Sequence, residues 1–245
     1  MRKPSIDKSQ RLPLIHLLPN LLTVTAICAG MTAIRFAYQG DIEIAVQLVL
    51  IAGFLDGLDG RLARLLNCQS SVGAELDSLA DFLNFGVAPG LVIHAWALQD
   101  FSRAGWIAVL GYTICCVLRL ARFNVSNDSD ENSDSAFMGV PSPAGAGLVM
   151  LPMYIAFLRP DLPVMQPAFI SGYLLFIGLL MISHFPTFSF KTVFIPRAKI
   201  RFMMLGIALT ILALVTYLWA TLILLSFLYT LSLIWSGWAA FKPKA

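Results

Sequence analysis

The sequence predicts an all-α, polytopic membrane bundle of about eight transmembrane helices, and three observations carry that prediction. Hydrophobic residues make up 58% of the 245 and charged residues 13%, against roughly 25% charged in a soluble domain; the mean hydropathy is +0.78. Apolar runs fall at 14–38, 41–58, 79–98, 104–121, 143–158, 165–183, 202–219 and 220–241, each near the ~20 residues that cross a ~30 Å hydrocarbon layer as helix. In lipid every backbone N–H and C=O must be satisfied by a helix or a closed barrel, and these runs lack the alternation of a barrel strand. The cations then sort by side: fourteen of the 17 Lys and Arg residues, Arg2, Arg61, Arg64, Lys199 and Lys242 among them, fall in one set of gaps, and only Arg35, Arg103 and Arg159 in the other. The positive-inside rule makes the richer side cytoplasmic and puts both termini there.

In chain order, the first run follows a basic opening like that of a signal peptide, but it is long and continues to Tyr38, so it reads as an uncleaved span. Asn20 and Thr23 on it can cap the helix or face a ligand. The second run ends in Asp56 and Asp59, with Gly53, Gly57 and Gly60 interleaved, and the third starts beside Gly73, Asp77 and Asp81. His94 lies well inside the third and reads as a bundle-facing side chain. The fourth ends at Arg119 and Arg122, which suit a cytoplasmic boundary. The polar stretch 126–135 predicts a solvated loop, and it lacks the glycine and terminal glutamate of a calcium loop. Pro141 and Pro143 with small residues after them can simply start the fifth span. The connection 183–201, with aromatics, prolines and cations, suits a segment lying on headgroups. Cys28, Cys68, Cys115 and Cys116 have no metal-ligand spacing and read as packing residues. The net charge of +3 fits this topology and attraction to membrane lipids; no basic patch with interleaved aromatics suggests nucleic acid.

The four aspartates are the chemistry-bearing feature. An ionisable group at a span centre costs about 2.5–3.5 kcal/mol on insertion scales, so several together need a counter-charge. Spacings of three (Asp56, Asp59) and four (Asp77, Asp81) put each pair on one helix face, and a short turn makes the two helices antiparallel neighbours. Arg61 and Arg64 supply part of the charge as a salt-bridge network, but two arginines cannot balance these four and Glu75. Hard oxygen donors select Mg²⁺, Mn²⁺ or Ca²⁺, and two carboxylate-bridged ions would clamp a phosphoryl group.

The run Asp56-Gly-Leu-Asp59-Gly60-Arg-Leu-Ala63-Arg64, eight residues, Gly73-Ala-Glu-Leu-Asp77-Ser-Leu-Ala-Asp81 resembles the full signature of the CDP-alcohol phosphotransferases. The resemblance implies a six-helix, usually homodimeric catalytic core over 1–183, leaving 184–245 as a connection and two C-terminal helices. It implies metal on Asp56, Asp59 and Asp77, a general base in Asp81 that also touches metal, and CDP contacts from Gly60, Ala63, Arg64 and Gly73, with Asn20 and Thr23 nearby. The segments 71–90, Arg119–Asn124, Phe137–Gly147 and Leu18–Thr23 are similar to the phosphatidylserine synthase branch. Its substrates would be CDP-diacylglycerol and L-serine, with Arg119, Arg122, Asn124, Pro141 and Ser142 as acceptor-side residues. A guanidinium can hold the serine carboxylate bidentately, and the spacing does not decide which arginine does so. That branch implies a bacterial inner (cytoplasmic) membrane enzyme with a cytoplasmic site.

Three rivals remain at this stage. A sibling with choline, glycerol phosphate or inositol phosphate as acceptor would keep all four aspartates. A cation-coupled transporter would place its acids at the midplane beside broken helices, in repeated halves, and no repeat is visible. A scaffolding protein would explain the spans but not the signature.

Overall fold

The structure, a computed structural model, describes residues 14–128, 139–163, 165–183 and 200–241, and the regular elements among them are all helical. Most of the acidic stretch and of the 183–201 connection, together with Phe137 and most terminal cations, lies outside the described residues. The helices are α1 (Leu18–Gln39, after a single turn Leu14–Leu17), α2 (Ile42–Leu65), α3 (Ser71–Asp81), α4 (Ala88–Ile93), α5 (Ser102–Asp128), α6 (Ser142–Val149), α7 (Leu151–Leu158), α8 (Pro167–Ile182), α9 (Ile200–Thr216) and α10 (Leu218–Phe241). π-helical turns at Phe82–Val87 and His94–Leu98 link α3 and α4 into one rod, Ser71–Leu98.

These elements make eight rods, one for each apolar run, with different limits. α2 continues to Leu65 instead of stopping at 58, and the third rod starts at Ser71 instead of 79. Hydropathy marks where lipid ends, whereas the backbone hydrogen-bond ladder continues into polar sequence. The fifth run bends at Met150, just before Pro152, because proline removes a helical N–H and clashes with the preceding turn. Among the described residues, four rods are long and apolar enough to cross a membrane: Ile15–Gln39, Ser71–Leu98, Arg103–Val125 and Leu218–Trp238. Ser142–Leu158, Pro167–Ile182 and Arg201–Thr216 are apolar but shorter.

α1 and α2 form a tight antiparallel hairpin. Gly40, at φ 96°, ends α1 in the left-handed conformation that glycine adopts without strain. α1 buries Ala26, Gly30, Ala33 and Ala37, and α2 buries Ala45, Val46, Val49 and Ala52; such small residues let membrane helices approach closely. The first π turn of the third rod is keyed into this hairpin. A Cβ on Gly30 would stand 2.3 Å from Asn84 Oδ1, and one on Gly53 3.0 Å from Phe85 Cε1. A π turn leaves its carbonyls poorly paired, and α5 supplies donors: Tyr112 Oη to the Phe85 carbonyl at 2.6 Å and Thr113 Oγ1 to that of Gly86 at 3.4 Å. Directly after Asp81, the rod is therefore fixed from three sides.

α8 packs on α5, and α10 on α7. Trp219, at the start of α10, stacks on Tyr154 at 6.0 Å between centroids and meets Phe157 at 4.7 Å. Its Nε1 donates to Glu43 Oε1 of α2 at 3.2 Å. α9, by contrast, is exposed along most of its length, as a lipid-facing helix is.

Candidate active site

Asp56 and Asp59 point from the last turns of α2 toward Asp77 and Asp81 on α3. Asp56, Asp59 and Asp77 each offer an oxygen, and these three oxygens all lie within 4.8 Å of one another. Asp81 is outside that triplet and stands within hydrogen-bonding reach of Asp56. Asp59 is 3% exposed, and Thr23 of α1 donates its hydroxyl to Asp59 Oδ2, with the Pro19 carbonyl also within reach of the hydroxyl at 3.1 Å. Asp56 Oδ1 and Asp59 Oδ1 are buried without a hydrogen-bond partner.

Buried anionic oxygens without donors call for a cation. Among the described residues the ion pair within 4.0 Å is Arg159–Asp161, far along the chain, so Arg61 and Arg64 do not form the salt-bridge network that the sequence left open. A cluster of hard oxygens with unfilled lone pairs fits Mg²⁺, Mn²⁺ or Ca²⁺.

Beside the aspartates opens a cleft of about 300 Å³ lined by α1, α2 and α3. Every residue expected at the nucleotide is there: Asn20, Thr23, Gly60, Ala63, Arg64 and Gly73, with Asp59 and Asp77 on the same lining. The capping alternative for Asn20 and Thr23 does not hold, because α1 starts at Leu18 with no side-chain cap. Gly73 faces Asn20 so closely that a Cβ would lie 3.0 Å from Asn20 Oδ1, while nothing lies within 4 Å of a Cβ on Gly60. Ser70 caps α3, accepting from Gly73 N at 3.0 Å. Ser70, Gln69 and Cys68 also line the cleft and were missed by the sequence reading. The serine two residues ahead of a helical Val-Gly-Ala-Glu run was a visible capping signal, but Cys68, taken for a packing residue, offered none.

The acceptor-side residues do not line this cleft. Arg119 is half-buried beside Asp81, without a direct ion pair to it. Its Nη1 donates to Ser142 Oγ at 2.7 Å and its Nε is buried and unpartnered. Arg122 donates to the Ile182 carbonyl at 3.1 Å, and Asn124 to Ser78 Oγ at 3.1 Å. Pro141 is the N-cap of α6, directly before the fully buried Ser142, so its helix-starting role holds. Asn84 went unremarked in the sequence. It lies three residues beyond Asp81, is fully buried, and has neither amide atom paired.

The family model described as CDP-alcohol phosphatidyltransferase matches residues 16–182. A Mycobacterium leprae protein named CDP-diacylglycerol–serine O-phosphatidyltransferase is 40% identical over 234 residues, 91% of this chain and 76% of that one. A Helicobacter pylori protein of the same name is 39% identical over 180 residues, 73% of this chain and 75% of its own. The Mycobacterium tuberculosis counterpart is 48% identical over 146 residues, which is 57% of this chain and about half, 51%, of that relative.

Proposed function

The chain belongs to the CDP-alcohol phosphatidyltransferase family, and on that premise we propose that it transfers the phosphatidyl group of CDP-diacylglycerol to the hydroxyl of L-serine, giving phosphatidylserine and CMP. The observation that carries this reading is the meeting of Asp56, Asp59 and Asp77 oxygens on the edge of a cleft lined by Asn20, Thr23, Gly60, Ala63, Arg64 and Gly73. Serine as acceptor is supported by the names of the relatives aligned over most of the chain.

Asp56, Asp59 and Asp77 are the residues that would hold divalent metal, Mg²⁺ or Mn²⁺ and as a pair of ions. Metal bound there supplies positive charge to the phosphoryl oxygens. Thr23 fixes the rotamer of the buried Asp59, so this carboxylate is aimed before any ligand arrives. Gly60 leaves backbone open to close approach by phosphate and sugar, Gly73 lets the wall of the nucleotide cleft close up against Asn20, and Arg64 offers a guanidinium to the diphosphate. Asp81 takes the proton of the serine hydroxyl as the new oxygen–phosphorus bond forms. The bond from that phosphorus to the CMP oxygen breaks, and CMP departs with the electron pair. Arg119 holds the serine carboxylate through its unpaired Nε–H, with Ser142 steering its other end; Arg122 and Asn124, bonded to Ile182 and Ser78, shape the surroundings.

Residues 1–183 form the catalytic core and 184–245 the C-terminal addition, a division supported by the family match ending at 182. The protein is an integral membrane protein. The asymmetry of its cations supports an inner-membrane orientation with cleft and termini cytoplasmic, and the family resemblance supports a homodimer. Membranes containing the protein will release CMP from CDP-diacylglycerol on addition of serine with Mg²⁺ or Mn²⁺, and chelation will stop it. Release with choline, glycerol phosphate or inositol phosphate but none with serine would overturn the acceptor; no release with any alcohol would overturn the transfer.

A further inference from the structure

α10 lies beyond the segment matched by the family model, yet it is seated on the core through Trp219, between Tyr154, Phe157 and Glu43. From that anchor the partly buried positions Leu222, Ser226, Tyr229 and Leu233 recur at spacings of three and four, while Leu224, Phe227, Leu228 and Leu231 are exposed. Such spacing is one helix face, and it carries Tyr229 inward. The Tyr229 hydroxyl is buried and has no hydrogen-bond partner.

What it approaches is Arg119, which lies within electrostatic range of both Tyr229 and Asp81. Arg119 spends Nη1 on Ser142 at 2.7 Å and leaves Nε buried and unpaired. A buried polar hydrogen without an acceptor is unfavourable, and here the Arg119 Nε–H and the Tyr229 hydroxyl, from different helices, are both left unpaired. No hydrogen bond joins them: the Arg119 Nε–H can only donate, and the Tyr229 hydroxyl, which can donate or accept, is unpaired as well. One small group with two acceptor oxygens would satisfy both.

We propose that Tyr229 is an acceptor-binding residue, its hydroxyl and the Arg119 Nε–H donating to the carboxylate of the incoming amino acid, so that the C-terminal helix completes the acceptor side of the site. This rests on the serine reading above and goes beyond it, by giving α10 a part in substrate selection.

The test is steady-state kinetics of Tyr229→Phe, which keeps the ring and removes only the hydroxyl, beside Tyr217→Phe, an exposed tyrosine at the junction before α10. Tyr229→Phe is expected to raise the KM for serine about tenfold, the effect of one hydrogen bond to a charged group, while the KM for CDP-diacylglycerol and the melting temperature stay unchanged. Tyr217→Phe is expected to move none of these. An unchanged serine KM in Tyr229→Phe would overturn the proposal, as would a parallel rise in both KM values with loss of thermal stability, the mark of packing alone. The wild type, run in the same series, separates the two ideas. If it uses serine, an unmoved KM removes Tyr229 only; if it uses a different alcohol, the serine reading falls, and with it a carboxylate at Tyr229.

Discussion

The two flanks of the aspartate cluster are built differently. On the nucleotide flank, α1, α2 and α3 contribute mostly small or short residues, with Arg64 the long one, around an open cleft of about 300 Å³. On the flank proposed for the acceptor, α5 and α10 present the long side chains of Arg119 and Tyr229 and α6 the short Ser142, and Arg119 Nε and Tyr229 Oη are left unpaired. A bulky nucleotide needs room and backbone access, whereas a small amino acid needs a few aimed polar groups. A subsite for a large ligand is thus an open volume, and one for a small ligand a set of aimed, unpaired polar groups.

The largest effects should come from the shared centre, which belongs to both flanks. Asp56→Ala, Asp59→Ala and Asp77→Ala should each lower kcat about 10³-fold or more, the scale of losing several kcal/mol of charge stabilisation, as read by CMP release. Asp81→Asn should cost on the order of 10²–10⁴-fold in kcat, the range of a general base, with bound metal retained in equilibrium dialysis. Loss of metal along with activity would move Asp81 into the ligand set.

Next come variants that separate the flanks. Arg119→Ala should raise the serine KM by about 10–100-fold, as expected for charge-assisted hydrogen bonds, and leave the CDP-diacylglycerol KM within about twofold; Arg122→Ala should change the serine KM less than about threefold. The reverse ranking would hand the carboxylate to Arg122. Gly73→Ala should act oppositely, raising the KM for CDP-diacylglycerol several-fold, because its Cβ would crowd Asn20 Oδ1 at 3.0 Å, while the serine KM holds. If both KM values move equally in either variant, the flanks are not separate subsites. The smallest effect is expected from Trp219→Leu, which removes the ring stacking at 6.0 Å and 4.7 Å worth about 0.5–1.5 kcal/mol per pair. It should lower the melting temperature by a few degrees and weaken serine binding through displacement of α10.

The nucleotide flank was legible in the sequence because its parts are local. Asp56, Asp59, Gly60, Ala63 and Arg64 share one helix end, Gly73 and Asp77 the next helix start, and helical spacing alone brings them together. Asn20 and Thr23 come from a distant segment, and only the family resemblance pointed to them. The rods themselves were legible from hydropathy, but not their polar extensions, since a helix outlasts its apolar run. The acceptor flank was less legible because it is assembled from helices far apart in sequence: Arg119 and Ser142 are 23 residues apart, and Tyr229 comes from a predominantly apolar helix without a charged residue. The π turn after Asp81 was invisible, because a one-residue widening leaves no mark in hydropathy; the glycines at 30 and 53 that receive it look like ordinary helix-packing positions.

Transfer of a phosphatidyl group to serine at the aspartate cluster is the proposed step on which the predictions above depend. It is tested most directly by following radiolabelled serine into chloroform-soluble lipid with CDP-diacylglycerol and Mn²⁺, for the wild type and Asp77→Ala side by side in the same membranes. Label is expected in phosphatidylserine for the wild type, and background counts for the folded variant. Equal incorporation by both, or none by a wild type that still releases CMP to another alcohol, would contradict it.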